Sequence, residues 1–257
     1  MNRHATALLV FFIICLGIYL LFRPGRGFYW VIKRSFQQDN KIIIEDILKM
    51  LYHAEDNSEG MKVNSIFDRL NSNKKHLLDI LQKIESEGLI NSSGDIVKLS
   101  NTGRDYALKI IRAHRLWEKY LSEETGYDKL EWHDRAEHME HHLSEEDTDH
   151  LALQLGNPRF DPHGDPIPSS KGEMHKIAGK PLPSFPVGTV GKITHIEDEP
   201  EIIYKQILAE GLHIGSQVKI VEANERRIKF HSVGEEYILA PIVAANITIE
   251  ELKKEEV

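Results

Sequence analysis

His114 and Glu118 stand four residues apart within RAHRLWEKYL, and His133, Glu137, Glu140 and His141 fall together within WHDRAEHMEHHL. On a helix, residues at i and i+4 share a face, and those at i, i+4, i+7 and i+8 make one stripe. Two such faces turned toward each other present imidazole nitrogens and carboxylate oxygens. The one cysteine of the chain, Cys15, lies in the first twenty residues, so no thiolate joins the set. A sulfur-free set of this kind suits hard or borderline divalent ions such as Mn²⁺ or Fe²⁺. A single His/Glu pair is an ordinary solvated surface, but two imidazoles and two carboxylates on one line are not. Carboxylate and histidine can also hold a hydrolytic ion with an open position. No nucleophile motif, phosphate loop or second acid–base constellation accompanies them here, and an enzyme is not expected.

The elements that must carry these residues can be read from periodicity. Thr102 is placed to cap a long helix running to about Glu124, and a second helix starts near Glu131. The whole chain has 257 residues, enough for two or three small domains. With 41% hydrophobic and 28% charged residues it is neither wholly disordered nor a multi-span membrane protein. A net charge of −8 excludes a polycation that coats nucleic acid, so any DNA contact must come from a local patch. One cysteine excludes a disulfide within the chain.

Residues 5–22, ATALLVFFIICLGIYLLF, carry no charge. At about 1.5 Å per residue they approach the roughly 30 Å of a hydrocarbon core. No small-x-small cleavage site follows, since Arg23-Pro24-Gly25-Arg26 comes next, and Ile13 and Ile14 before Cys15 do not fit a lipoprotein signal. An uncleaved span is the expectation. Arg23, Arg26, Lys33, Arg34 and Lys41 on its far side put the rest of the chain in the cytoplasm, in an inner-membrane, single-pass topology.

Residues 40–56 show the i, i+3, i+4 spacing of an amphipathic helix through Ile43, Ile44, Ile47, Leu48, Leu51 and Tyr52. A short helix over 63–70, a third helix from Lys74 ended by Gly88, and a hairpin turning at Ser92-Ser93-Gly94-Asp95 complete a winged helix-turn-helix plan. Ser72, Asn73, Lys74, Lys75 and His76 then stand where a third helix would meet a DNA groove. Across 62–104 there are seven Lys or Arg against five Asp or Glu, a balance of only +2. Protein contact without DNA is therefore the competing use, since phosphate contacts supply most of a DNA binder's affinity.

Residues 156–186 hold most of the prolines and read as a hinge. From Val187 onward, short alternating strands with glycine turns and a helix near 201–210 suggest a small barrel.

RAHRLWEKYL, WHDRAEHMEHHLSEE and LGNPRFDPHGDPIP together resemble the metal-dependent repressors of the diphtheria-toxin-repressor and manganese-regulator type, over about residues 40–168. The resemblance implies metals held between the first helix and the two later ones, with dimerisation through the same region. It implies a primary site of Asp46, Glu137, Glu140 and His141, and an ancillary site containing His114, Glu118 and His133. Iron sensors of the family tend to have Cys at the position of Glu137, so this set is nearer the manganese type. Lys49 departs from that type, which has a second first-helix carboxylate there. LAEGLHIGSQVKI is similar to the FeoA-like, SH3-type third domain of iron-sensing repressors, which can donate a carboxylate to the ancillary site. Glu201 is the candidate donor, with Glu199 as the alternative. A hydrophobic helix followed by RPGRGFYWVIKRS and a winged helix also looks like the tail of metal-transporter permeases that carry a fused repressor-like domain.

The expectation is a mainly α chain with a small β domain. It comprises a transmembrane anchor and juxtamembrane segment (1–35), a winged helix-turn-helix (36–104), a helical metal-binding and dimerisation domain (105–155), a Pro-rich linker (156–186) and a FeoA-like SH3-type β-barrel (187–257). The function expected is a membrane-anchored, Mn²⁺- or Fe²⁺-dependent regulator that binds operator DNA as a homodimer. The rival is a cytosolic metal-sensing module that controls a metal-transporter permease by protein contact.

Overall fold

The computed structural model describes residues 3–23, 28–55, 60–70 and 73–252, with the side chains of 3–10, 15, 22 and 28–37 outside the description. It forms two compact units, Met1–Ala107 and Leu108–Val257.

In the first unit, α1 (Arg3–Phe22) precedes α2 (Phe28–Ala54), which starts well before the helix expected from residue 40. Most of the expected span at 5–22 lies on side chains outside the description. Among the described residues no helix is long and apolar enough to cross a membrane, so the structure does not support the expected anchor.

The remainder follows the winged-helix plan. Strand β1 (Met61–Lys62), α3 (Val63–Leu70), α4 (Lys74–Ser86), β2 (Ile90–Ser93) and β3 (Ile96–Leu99) form a small antiparallel sheet in the order β1-β3-β2 with helices against it. Ile47, Leu48 and Leu51 of α2, Ile66 of α3, Ile84 of α4 and Val97 of β3 meet in one core. The apolar stripe of α2 is what that core buries. Helix α5 (Asn101–Glu124) is capped by Ser100 and not by Thr102, because the Ser100 Oγ accepts from Gly103 N at 3.0 Å and donates to Gly88 O at 2.6 Å. A Cβ at Gly103 would lie 1.9 Å from the Leu89 carbonyl oxygen, so α5 can start this close to the wing only on glycine.

In the second unit, the rest of α5 packs with α6 (Trp132–Glu140) and α7 (Glu145–Gln154). Ser144 and Asp147 cap α7 reciprocally, which satisfies two of its exposed amide donors. The Pro-rich segment that follows is not a free hinge. Asp161, His163 and Ile167 are buried, and Arg115 on α5 donates to the Pro166 carbonyl at 2.7 Å. His163 O accepts from Ile196 N at 2.9 Å, and Gly164, with φ of 93°, sits where a Cβ would lie 2.2 Å from Thr194 O. Proline-rich composition foretells irregular backbone, not exposure, and this backbone is held by partners on both sides.

The last elements are β4 (Lys180–Pro181), β5 (Val190–Ile196), α8 (Glu201–Ala209), β6 (Gln217–Ala223), β7 (Ile228–Ser232), β8 (Glu235–Leu239), α9 (Pro241–Ala244) and β9 (Ile247–Glu251). The strands make one six-stranded antiparallel sheet in the order β4-β9-β5-β6-β7-β8. The expected barrel is therefore an open sheet, since its end strands β4 and β8 do not pair. Strand β4 has two residues, one of them Pro181, whose missing N–H confines it to an edge. Ile193, Ile207, Phe230, Ile247 and Ile249 are fully buried between the sheet and α8 and α9.

Candidate metal centre

On helix α5, His114 and Glu118 lie one turn apart on one face, and both are buried. Glu118 is the hub of the second unit's polar core. Its Oε1 lies 3.1 Å from His114 Nε2, 3.3 Å from His133 Nδ1 on α6, and 3.8 Å from His163 Nε2 on the Pro-rich segment. His133 Nδ1 in turn lies 3.0 Å from Asp198 Oδ2, in the connection between β5 and α8. His114, Glu118 and His133 can present ligand atoms within 4.8 Å of one another, and so can Glu118, His163 and Asp198.

The electrostatics explain what this cluster lacks. Glu118 Oε1, His133 Nδ1 and His163 Nε2 are buried yet make no hydrogen bond. They approach at ion-pair distance without hydrogen-bond geometry, and orphaned buried polar atoms are costly. Burial pushes the Glu118 carboxyl up, but His114, His133 and His163 outweigh it and hold it well below the usual carboxylate range. Burial likewise works against charge on His133, yet Asp198 and Glu118 push its imidazole up to about 11. Asp161, fully buried nearby, is pushed up by burial and by Asp165 and Glu118. Three buried or half-buried carboxylates thus crowd a few imidazoles, and a divalent cation meets the demand of all of them. The donor set is nitrogen and oxygen only, which fits Mn²⁺ or Fe²⁺.

The structure brings some of the residues expected from sequence together and leaves others apart. His114, Glu118 and His133 converge. Glu201 does not, because it is the first residue of α8 and pairs with Lys205 at 2.7 Å. Nearer to His133 stand Asp198, whose Oδ2 is 3.0 Å from His133 Nδ1, and Glu199, whose Oε1 is 3.7 Å from His133 Nε2. His163 was missed, and its only signal is the D-P-H-G-D string, in which Asp161 Oδ1 accepts from both His163 N and Asp165 N at 2.9 Å. Of the expected primary set, Glu140 and His141 are buried at the end of α6, and Glu140 Oε2 lies 2.5 Å from His114 Nδ1. Glu137 is exposed on the same helix, and Asp46 is half-buried on α2 of the first unit. In the first unit Asn73 caps α4, its side chain accepting from Lys75 N and His76 N. Lys74 and Lys75 are exposed in that first turn, His76 is half-buried, and Ser72 lies outside the described residues.

Residues 100–169 match the family described as iron dependent repressor, metal binding and dimerisation domain. The diphtheria toxin repressor of Corynebacterium diphtheriae is 27% identical over 222 residues, covering 81% of this chain and 96% of that protein. A probable metal transport system membrane protein of Chlamydia pneumoniae is 33% identical over 170 residues, covering 62% of this chain. The chain spans 37% of that relative's length, and 18% of the length of a similarly described protein of Chlamydia trachomatis. Among solved structures, a manganese-dependent transcriptional repressor in complex with manganese superposes with a TM-score of 0.71 at 26% identity, over 81% of this chain and 99% of that one.

Over residues 100–169 the chain is thus similar to the metal-binding and dimerisation domain of iron-dependent repressors, and its fold is similar to that of a manganese-dependent repressor. Such repressors are not enzymes, and the manganese- or iron-type cofactor read from the ligand chemistry fits them.

Proposed function

We propose that this chain is a Mn²⁺- or Fe²⁺-responsive transcription regulator that dimerises and binds operator DNA in its metal-loaded form. The observation that carries the reading is the orphaned, buried set around Glu118. In this reading His114, Glu118, His133, His163 and Asp198 supply one metal centre. Asp46, Glu137, Glu140 and His141 supply the primary one, as the sequence resemblance implies. The ion would supply a partner for the buried atoms of Glu118, His133 and His163 that no side chain there satisfies. The residues' own part is to join α5, α6, the Pro-rich segment and the β5–α8 connection through one point. A ligand that binds one arrangement of these parts better than others shifts the population toward it. Lys74 and Lys75 in the first turn of α4 provide the phosphate or base contacts. Calorimetry of the chain with Mn²⁺ and with Fe²⁺, followed by gel shifts of its upstream DNA with metal or chelator, tests the reading. Absence of metal binding, or equal affinity for random DNA, would reject it.

Anchoring is a separate part of the proposal. Its support is the uncharged run at 5–22 and the exposure of Phe11, Phe12, Ile13 and Ile14 on α1, each above half. In it the domains after α1 lie in the cytoplasm. Membrane fractionation of the full chain decides it, and recovery in the soluble fraction would refute it.

A further inference from the structure

The centre around Glu118 is buried on nearly every side, yet an ion has to reach it. Glu118 and His163 are almost wholly inaccessible, at 1% and 2% exposure. A cavity of about 610 Å³ leads from solvent to His163 and His133, between α6 and the start of α8. Its lining includes Asp134, Glu137, Glu199 and Glu201, with Lys129 as the one lysine or arginine among the lining residues. Asp134, Glu199 and Glu201 are exposed, while the His163 Nε2 at the base is buried and without a hydrogen bond.

The charge is asymmetric. Behind the centre, Arg115 lies 3.1 Å from Asp165 and 3.9 Å from Asp161, so a cation from that side meets a guanidinium. Beside His163 the rings of Trp132 and Tyr204 close the flanks, with centroids 6.1 and 5.1 Å away. The cavity presents carboxylates to solvent and imidazole at its base. Clefts lined by one sign of charge raise the local concentration of the opposite ion and its on-rate by 10–10³-fold.

We propose that this cavity is the route by which the divalent ion reaches and leaves the Glu118 centre, and that Asp134 and Glu201 draw the ion in without ligating it. The inference rests on the metal reading above and assigns Glu201 a different part from the ligand role expected of it. Glu201 keeps its ion pair with Lys205, which suits a rim charge and not a ligand. Before it sheds water, an ion forms a loose hydrated encounter with the rim, and the population of that encounter scales with the rim's negative charge.

Stopped-flow mixing of the full chain with Mn²⁺, read by paramagnetic quenching of Trp132 beside His163, measures both rates. The Asp134→Asn, Glu201→Gln double variant should associate about three- to tenfold more slowly at low salt, with the difference shrinking at high ionic strength. Its dissociation rate and stoichiometry should match wild type. Lys129→Gln should move the other way and associate faster. An unchanged association rate in both variants overturns the route while leaving the centre intact. Faster dissociation with lost stoichiometry in the double variant overturns it in favour of Glu201 as a ligand. A wild-type chain that takes up no Mn²⁺ overturns the metal reading itself, and the route with it.

Discussion

Glu118 Oε1 and His163 Nε2 lie 3.8 Å apart, both buried, and neither makes a hydrogen bond. That separation is too long for a hydrogen bond, and Glu118 and His163 would be among the residues that hold a divalent ion, which would supply the partner both atoms lack. Glu118→Gln should therefore weaken Mn²⁺ binding by more than the roughly 10–100-fold typical of outer-shell losses. His163→Ala should do the same. Calorimetric titration checks both, and unchanged affinity in either would remove that residue from the centre.

Asp198 and Glu201 separate the ligand proposed from the structure from the one expected by sequence. Asp198→Asn should lower the amount of Mn²⁺ bound at saturation, because its Oδ2 is 3.0 Å from His133 Nδ1. Glu201→Gln should leave that amount unchanged. Equilibrium dialysis with metal analysis distinguishes the two.

His133 has a pKa raised to about 11, with Asp198 and Glu118 overcoming its burial. It therefore carries a proton at neutral pH that a ligated ion must displace. Apparent Mn²⁺ affinity should rise with pH and fall as pH drops, by about tenfold per pH unit for each proton displaced. Titrations in buffers of different ionisation heat count the released protons, and a count of zero would contradict the assignment.

Lys74 and Lys75 are exposed in the first turn of α4, where the helix dipole also favours an anion. Replacing both with Ala should reduce the salt dependence of operator binding by about two units of slope, at roughly 0.9 per phosphate contact. Metal binding should not change. Gel-shift titrations at several salt concentrations supply the slope.

Gly103 packs its Cα against Leu89 O. Gly103→Ala should destabilise the winged helix by about 1–3 kcal/mol or more through overpacking. Ser100→Ala should cost about 1 kcal/mol by removing the cap of α5. Thermal melts of the two variants give both values.

The parts legible in sequence are those governed by local period and capping. The stripe on α2, the limits of α4 and the hairpin of β2 and β3 all follow from apolar spacing and turn residues. His114, Glu118 and His133 were legible because helical spacing puts them on defined faces. His163 was not, since a proline-rich stretch has no period, and its burial depends on Ile196 N and Thr194 O some thirty residues on. Asp198 lies one position from Glu199 and three from Glu201, the two carboxylates expected from sequence, because α8 begins only at Glu201 and the loop before it carries Asp198 toward His133. Alternation revealed the strands of the last domain but not whether its edge strands would meet.

The carboxylate of Asp161 ties the backbone on either side of Gly164 into a closed loop whose form is set during folding. His163 rides on that loop, so the arrival of an ion orders nothing there. A receptor whose ligands are already in place can be filled and emptied without refolding any segment. Its response would then follow the free metal concentration closely, with little of the lag that a loop folding around each ion would impose.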